Sequence, residues 1–298
     1  MESQLTSGSG YGPFVVLGAS GHIGSVVART LVERGHKVIA VVRDAAKGDG
    51  LKSLGAEIAI VDVRDTQALR AVLRRGRRAF LLNPPAPTDT NTDIEENRTA
   101  NSIAEAVSGA GLEKVVVEST YGARPGDAIG DLSVLWNFER NVASTEIPMA
   151  VNRGAYYFSN LDALFEEARE GAITTMFPAD LKIPMVAPAD LGVAAALRMA
   201  APLDDSGVQF VEGPERYSFD DVAVAFASAL GRAVTVRTLE RAEWEVSYRK
   251  AGFSQPAAEA YSRMAEVSLQ GFDTPENPVR GPTTLPRYIA ALVKSRMA

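Results

Sequence analysis

From Phe14 onward, short runs of Val, Ile, Leu and Phe alternate with longer stretches whose apolar residues recur at helical spacing. This pattern predicts successive βαβ units around a parallel sheet. Five strands are read in order: Phe14–Leu17, Lys37–Val42, Glu57–Val61, Ala79–Leu82 and Lys114–Val117. Each run is nearly continuous and does not alternate, so the strands are expected to be covered by helices on both faces. Between them, His22 to Arg34 places Ile23, Val26, Val27, Thr30 and Leu31 on one helical face, and Gly35 follows as a left-handed cap. Asp65 to Arg75 repeats this with Leu69, Val72 and Leu73 before Gly76, and Thr92 to Val107 is a third helix closed by Gly109 and Gly111. Leu132 to Ala143 predicts a fourth, and Met149–Asn152 a sixth strand after the turn at Pro148.

After about Arg153 the regularity loosens. Pro188-Ala189-Asp190 opens a helix to about Met199, Val208–Val211 and Val234–Val236 read as strands, and Ser218 with Asp221 resembles a capping box before Val222–Leu230. Helices around Trp244–Lys250, Ala257–Leu269 and Leu285–Arg296 complete the chain. The expected fold class is therefore α/β, a Rossmann-type doubly wound parallel sheet with a smaller α/β C-terminal substrate lobe. The Gly/Ser-rich residues 1–12 are expected to be a flexible tail, 13–153 the nucleotide-binding domain, and 154–298 the lobe, partly interleaved with the sheet.

Composition narrows the functional classes. With 298 residues, 46% hydrophobic and 23% charged, the chain has ample material for a large core. A net charge of −6 from interspersed acids and bases disfavours nucleic acid as the main ligand. The absence of cysteine removes disulfides and thiolate chemistry, and two histidines, His22 and His36, leave little for a metal site, so none is expected. No apolar run approaches the roughly 20 residues that span a bilayer, and no leader pattern precedes the first strand, so a cytoplasmic protein is expected.

The sharpest signal is Gly18-Ala19-Ser20-Gly21-His22-Ile23-Gly24, a G-x-x-G-x-x-G turn between a predicted strand and a predicted helix. Main-chain amides at such a helix start can approach a pyrophosphate where no β-carbon intervenes, so Gly18, Ser20, Gly21, His22, Ile23 and Gly24 are read as cofactor-binding. The alternative is a glycine-rich turn without a ligand. His22 is read as a loop residue beside the pyrophosphate. Past the second strand stand Arg43 and Lys47, cations that suit the 2′-phosphate of NADP; Asp44 keeps NAD possible. A solvated loop pair is the competing reading. Asp62 and Val63 are placed to contact adenine, with a helix cap as the alternative for Asp62, and Asn83, Pro84 and Pro85 are placed to line the cofactor cleft.

Several stretches, among them Val16 to Gly24, Phe80 to Pro85, Val115 to Ala123, Val151 to Asn160 and Lys182 to Gly192, resemble the NmrA-like family of atypical short-chain dehydrogenases over most of residues 14 to 230. The resemblance implies a dinucleotide-binding domain roofed by a C-terminal lobe, and either an NADPH-dependent reductase of quinones and other carbonyls or a regulator that senses the dinucleotide without turning it over. Ordinary short-chain dehydrogenases use a Tyr-x-x-x-Lys pair. Here Pro125 stands four residues after Tyr121, and Trp136 aligns where relatives often carry a lysine ahead of Glu139. The remaining candidates are Tyr121 and Tyr156 as catalytic residues, Ser119, Thr120 and Tyr121 at the cofactor, and Trp136, Arg153, Tyr156 and Tyr157 around a small-molecule substrate, apolar or planar. For Tyr156 and Tyr157 the competing reading is aromatic packing, and for Trp136 core packing. An isomerase or lyase using the cofactor transiently is a third reading.

Overall fold

The computed structural model describes residues 12–271 and 275–297, so the expected tail lies outside it except for Gly12. The first half of the chain runs β1 (Phe14–Val16), α1 (Gly24–Glu33), β2 (Val38–Val42), α2 (Asp49–Ser53), β3 (Glu57–Ile60), α3 (Thr66–Leu73), β4 (Arg78–Leu81), α4 (Thr92–Val107), β5 (Lys114–Thr120), α5 (Asp131–Ala143) and β6 (Met149–Gly154). These strands pair in parallel in the order 3-2-1-4-5-6, the doubly wound arrangement.

The second half holds β7 (Tyr156–Tyr157), α6 (Phe165–Glu170), β8 (Ala172–Thr175), β9 (Ile183–Val186), α7 (Pro188–Ala200), β10 (Gly207–Glu212) and β11 (Arg216–Tyr217). It continues through α8 (Phe219–Leu230), β12 (Thr235–Thr238), α9 (Trp244–Lys250), α10 (Gln255–Leu269), β13 (Val279–Arg280) and α11 (Leu285–Met297). β10 adds to β6 and β13 to β10, both parallel, so the chain returns to widen the main sheet to eight strands. The remaining strands form a three-stranded β11-β9-β7 sheet and a β12-β8 pair.

Successive strand residues point to opposite faces, and each face has its own core. Val16, Phe80 and Val116 pack under α1 and α7 with Val27, Leu31, Leu191 and Ala195. Val15, Leu81, Val115 and Val117 pack under α3, α4 and α5 with Leu69, Ile103 and Phe138. A third core, including Phe158, Phe165, Met185 and Phe226, belongs to the lobe. Gly192 lets α7 cross α1 at contact distance, since a β-carbon there would fall 2.6 Å from Val26 Cβ. The Ser218–Asp221 capping box closes in both directions at the start of α8.

Three expectations change. The third strand is not covered on both faces: β3 is the edge of the sheet, its burial alternates, and Ile60 is 60% exposed. Gly76 is no left-handed cap; it is needed because a β-carbon would meet Val15 Cγ2 at 2.3 Å. The lobe contains short strands at β7, β8, β9 and β11 that were not anticipated, because two to four residues carry too little periodicity to read.

Candidate cofactor and substrate site

The glycine-rich turn closes as its spacing requires. Gly18 adopts φ +63°, the Gly21 amide donates to the Gly18 carbonyl at 2.9 Å, and a β-carbon on Gly24 would lie 2.3 Å from that same oxygen. α1 begins without a side-chain cap or an acid in its first turn, whereas α3, α4, α8 and α10 are capped by Asp65, Asn91, Ser218 and Ser254. The amides of Ser20, His22 and Ile23 find no acceptor among the described residues. Ser20, Gly21 and His22 are exposed. Open amides at a positive helix end form a cradle for linked phosphates, so the residues present fit a dinucleotide.

Arg43 and Lys47 are exposed beyond β2. Asp44 is exposed beside them, its Oδ1 accepting the Ala46 amide at 3.0 Å as the cap of a short 3-10 turn. Asp62 does not cap α3; Asp65 does, accepting from the Ala68 amide. Asp62 instead takes a two-point contact from Arg64, which holds its carboxyl below the usual range with the smaller help of Arg43. Val63 is buried in the core beneath α3 and α4. Asn83 donates to the Glu96 carbonyl at 3.1 Å and keeps its Oδ1 buried and unpartnered beside half-buried Pro84 and exposed Pro85.

At the end of β5 two assignments are corrected. Ser119 does not face the cleft: fully buried, its hydroxyl donates to Glu139 Oε1 at 2.5 Å, and Arg153 binds the same carboxylate at 2.9 and 2.7 Å. Tyr121 is 4% exposed, and its hydroxyl donates to the buried Glu212 carboxylate at 2.9 Å. Burial and that carboxylate raise its pKa, so this phenol is held against β10 and is not presented to a ligand. Thr120 is half-buried. Arg153 keeps a place in a wall: with Gly122, Ala123, Arg124, Phe210, Gln270 and Gly271 it lines an open cleft of about 560 Å³ at the carboxyl ends of β5, β6 and β10. Trp136 lies outside the buried clusters, half-buried on α5 with the exposed Arg140 guanidinium 5.8 Å from its ring.

α9 and α10 roof the loops that follow β4 and β5. Ser254 bonds the Thr88 and Thr90 carbonyls, Arg263 donates to the Ala128 carbonyl at 2.8 Å, and Arg124 reaches the Gly271 carbonyl at 3.1 Å. Tyr248, Phe253 and Tyr261 form a half-buried aromatic group there, with centroids 5.0 to 5.7 Å apart. Facing it are the acids at the starts of α4 and α5. Burial, then the charge of Asp131, pushes Glu96 up to about 8, and burial raises Asp131 and Asp93 as well. The charge of Asp93 adds more weakly at Glu96, and Tyr261 is raised by burial and then by Asp131 and Glu96. Tyr156 enters from β7, edge-on to Phe177 and Phe219 at 6.3 Å, and burial pushes it up to about 12. Sequence reasoning missed Glu96, Asp131, Glu118, Tyr248 and Tyr261. The available signals were Glu118 and Glu212, charged residues inside strand-like apolar runs.

Among the described residues no group of side chains could hold a metal ion, and no helix is long and apolar enough to cross a membrane. The sequence profile of the NmrA-like family matches residues 13–268. Among curated proteins the chain is 28% identical to an NAD(P)H azoreductase of Xenophilus azovorans over 77% of its length and 78% of that protein. It is 22% identical to quinone oxidoreductase 2 of Escherichia coli K12 over 82% and 84%. The fold is shared with triphenylmethane reductase of Citrobacter sp., solved with NADP(H): TM-score 0.76, 20% identity, 95% of this chain and 99% of that one.

Proposed function

Because this chain belongs to the NmrA-like family, we propose that it is an NADPH-dependent oxidoreductase acting on a small, flat carbonyl or quinone. The observation that carries this reading is the pairing of an uncapped, glycine-cleared helix start with an aromatic-roofed gap at the same end of the sheet. The amides of Ser20, His22 and Ile23 would hold the linked phosphates, and Arg43 with Lys47 would take the 2′-phosphate. Asn83, through its free Oδ1, would bind a donor on the cofactor's inner half. The bound dinucleotide supplies hydride chemistry. Tyr248, Phe253 and Tyr261 would orient a planar acceptor and keep water away, and Arg153, fixed by Glu139, would shape the far wall. The azoreductase and quinone reductase names of the relatives agree with an electron-poor conjugated acceptor.

The test is NADPH oxidation followed with a panel of quinones, aldehydes and azo compounds. Turnover of at least one class is expected, and silence across the panel with intact NADPH binding would overturn the reading. The missing Tyr-x-x-x-Lys pair and the commitment of Tyr121 to Glu212 favour a second reading, a sensor of NADP(H) that does not turn it over. Calorimetry separates the two. A sensor requires unequal affinity for oxidised and reduced cofactor, since equal affinities leave no free energy to transmit.

A further inference from the structure

Resting on the reductase reading above, we propose that Tyr157 is the phenol that protonates the substrate and that Glu118, buried behind it as a neutral carboxylic acid, is the positioning residue that stabilises its phenolate. Of the three tyrosines near the carboxyl ends of β5 and β6, Tyr121 is bonded to Glu212 and Tyr156 is enclosed by Phe177 and Phe219. Tyr157 is half-buried, and its hydroxyl donates a long, weak hydrogen bond of 3.5 Å to the Ser119 carbonyl, at the end of β5 where open α/β sheets meet their ligands. Its ring occupies the space left by Gly154, where a β-carbon would fall 2.8 Å from Tyr157 Cε1.

Glu118 is 3% exposed, and neither of its oxygens has a hydrogen bond. Its register partner on β6 is Asn152, whose Nδ2 is also buried and unpartnered. Tyr157 and Asn152 are the polar side chains that act on the carboxyl, and no cation does. An isolated carboxylate in such surroundings is too costly, so Glu118 carries its proton at neutral pH and can offer it as a hydrogen bond. Burial, first of all, keeps the Tyr157 phenol un-ionised until transfer; the carboxyls that face it are Glu118 from β5, neutral in this proposal, and Asp131 from α5, which adds to the effect of burial.

The step balances. A bound reduced dinucleotide would supply the two electrons as hydride to the carbonyl carbon, and the Tyr157 O–H bond would break as the substrate O–H bond forms. The Glu118 hydroxyl then hydrogen-bonds the phenolate, which takes a proton from solvent as product leaves.

Tyr157→Phe is expected to lower kcat by about a hundredfold or more with little change in KM. Glu118→Met is expected to lower kcat by about a hundredfold, and Glu118→Gln, whose amide can still donate, to stay within roughly tenfold of wild type. Infrared difference spectra of the cofactor-free protein at pH 8 supply a readout apart from activity. A protonated-carboxyl stretch should vanish in Glu118→Gln and shift in Tyr157→Phe. Activity of Tyr157→Phe within twofold of wild type, or no carboxyl difference in Glu118→Gln, would overturn the proposal. Should wild type bind NADPH but reduce no acceptor, the reductase reading and the proton-donor role fall together. The infrared difference would still report whether Glu118 is protonated against Tyr157.

Discussion

At the amino ends of the central strands the sheet buries cations that all find partners, whereas at the carboxyl ends it buries acids of which Glu212 and Glu139 are paired and others are not. Arg78 on β4 donates to the carbonyls of Met199 and Ala201 and to Glu113; Lys114 on β5 donates to Pro202. Arg198 spreads its guanidinium over the carbonyls of Val151, Ser206 and Gly207 and over Asp205. These groups meet the last turn of α7 and the segment behind it, where carbonyls point outward and positive charge is favoured. At the other end Glu118 has no hydrogen bond, Asn83 keeps an orphaned oxygen, and burial with the charge of Asp131 raises Glu96. A finished end holds the fold together, and an unfinished end is what a ligand can complete.

Mutations can break this contrast. The largest effect is expected for Arg198→Ala, which strands the buried Val151 carbonyl and takes a partner from the Ser206 and Gly207 carbonyls and from Asp205; denaturant unfolding should show a loss of about 3–5 kcal/mol with NADPH affinity in the surviving folded protein unchanged. A change in cofactor affinity instead would mean the two ends are not separable. Next, Arg43→Ala should weaken NADPH binding by about ten- to a hundredfold in a titration while leaving NADH binding alone. A smaller effect is expected from Glu96. Its folded pKa of about 8 lies above the ordinary carboxylate value, so the folded state holds the extra proton. Stability from this group is whole at pH 4 and is lost progressively as pH rises from there through 8. Glu96→Gln should flatten that decline in urea midpoints measured from pH 5 to 9. Smallest is Ser119→Ala, expected to cost about 1 kcal/mol and to leave turnover intact, because its hydroxyl serves Glu139 and not the cleft. A hundredfold loss of turnover would return Ser119 to the cofactor.

Legibility in the sequence followed the range of the interaction. Gly18, Gly21 and Gly24 were readable because the turn's dihedral and the clearance over the Gly18 carbonyl are settled within seven residues. Gly35, Gly109 and Gly111 were readable as left-handed positions for the same reason. β3 was misjudged because an apolar run does not say whether another strand lies beyond it. Asp65 and Asp62, three residues apart, could exchange the role of cap until the first turn of α3 was placed.

The order of elements, the parallel sheet and the glycine-rich turn after β1 were decided by the chain alone, since periodicity and backbone clearance act between near neighbours. Which acids are raised above the ordinary carboxylate range and which tyrosine is taken by a carboxylate 91 positions away were decided only when distant segments packed. Desolvation and hydrogen-bond competition depend on every group within a few ångströms, and those groups come from strands and helices that the sequence keeps far apart.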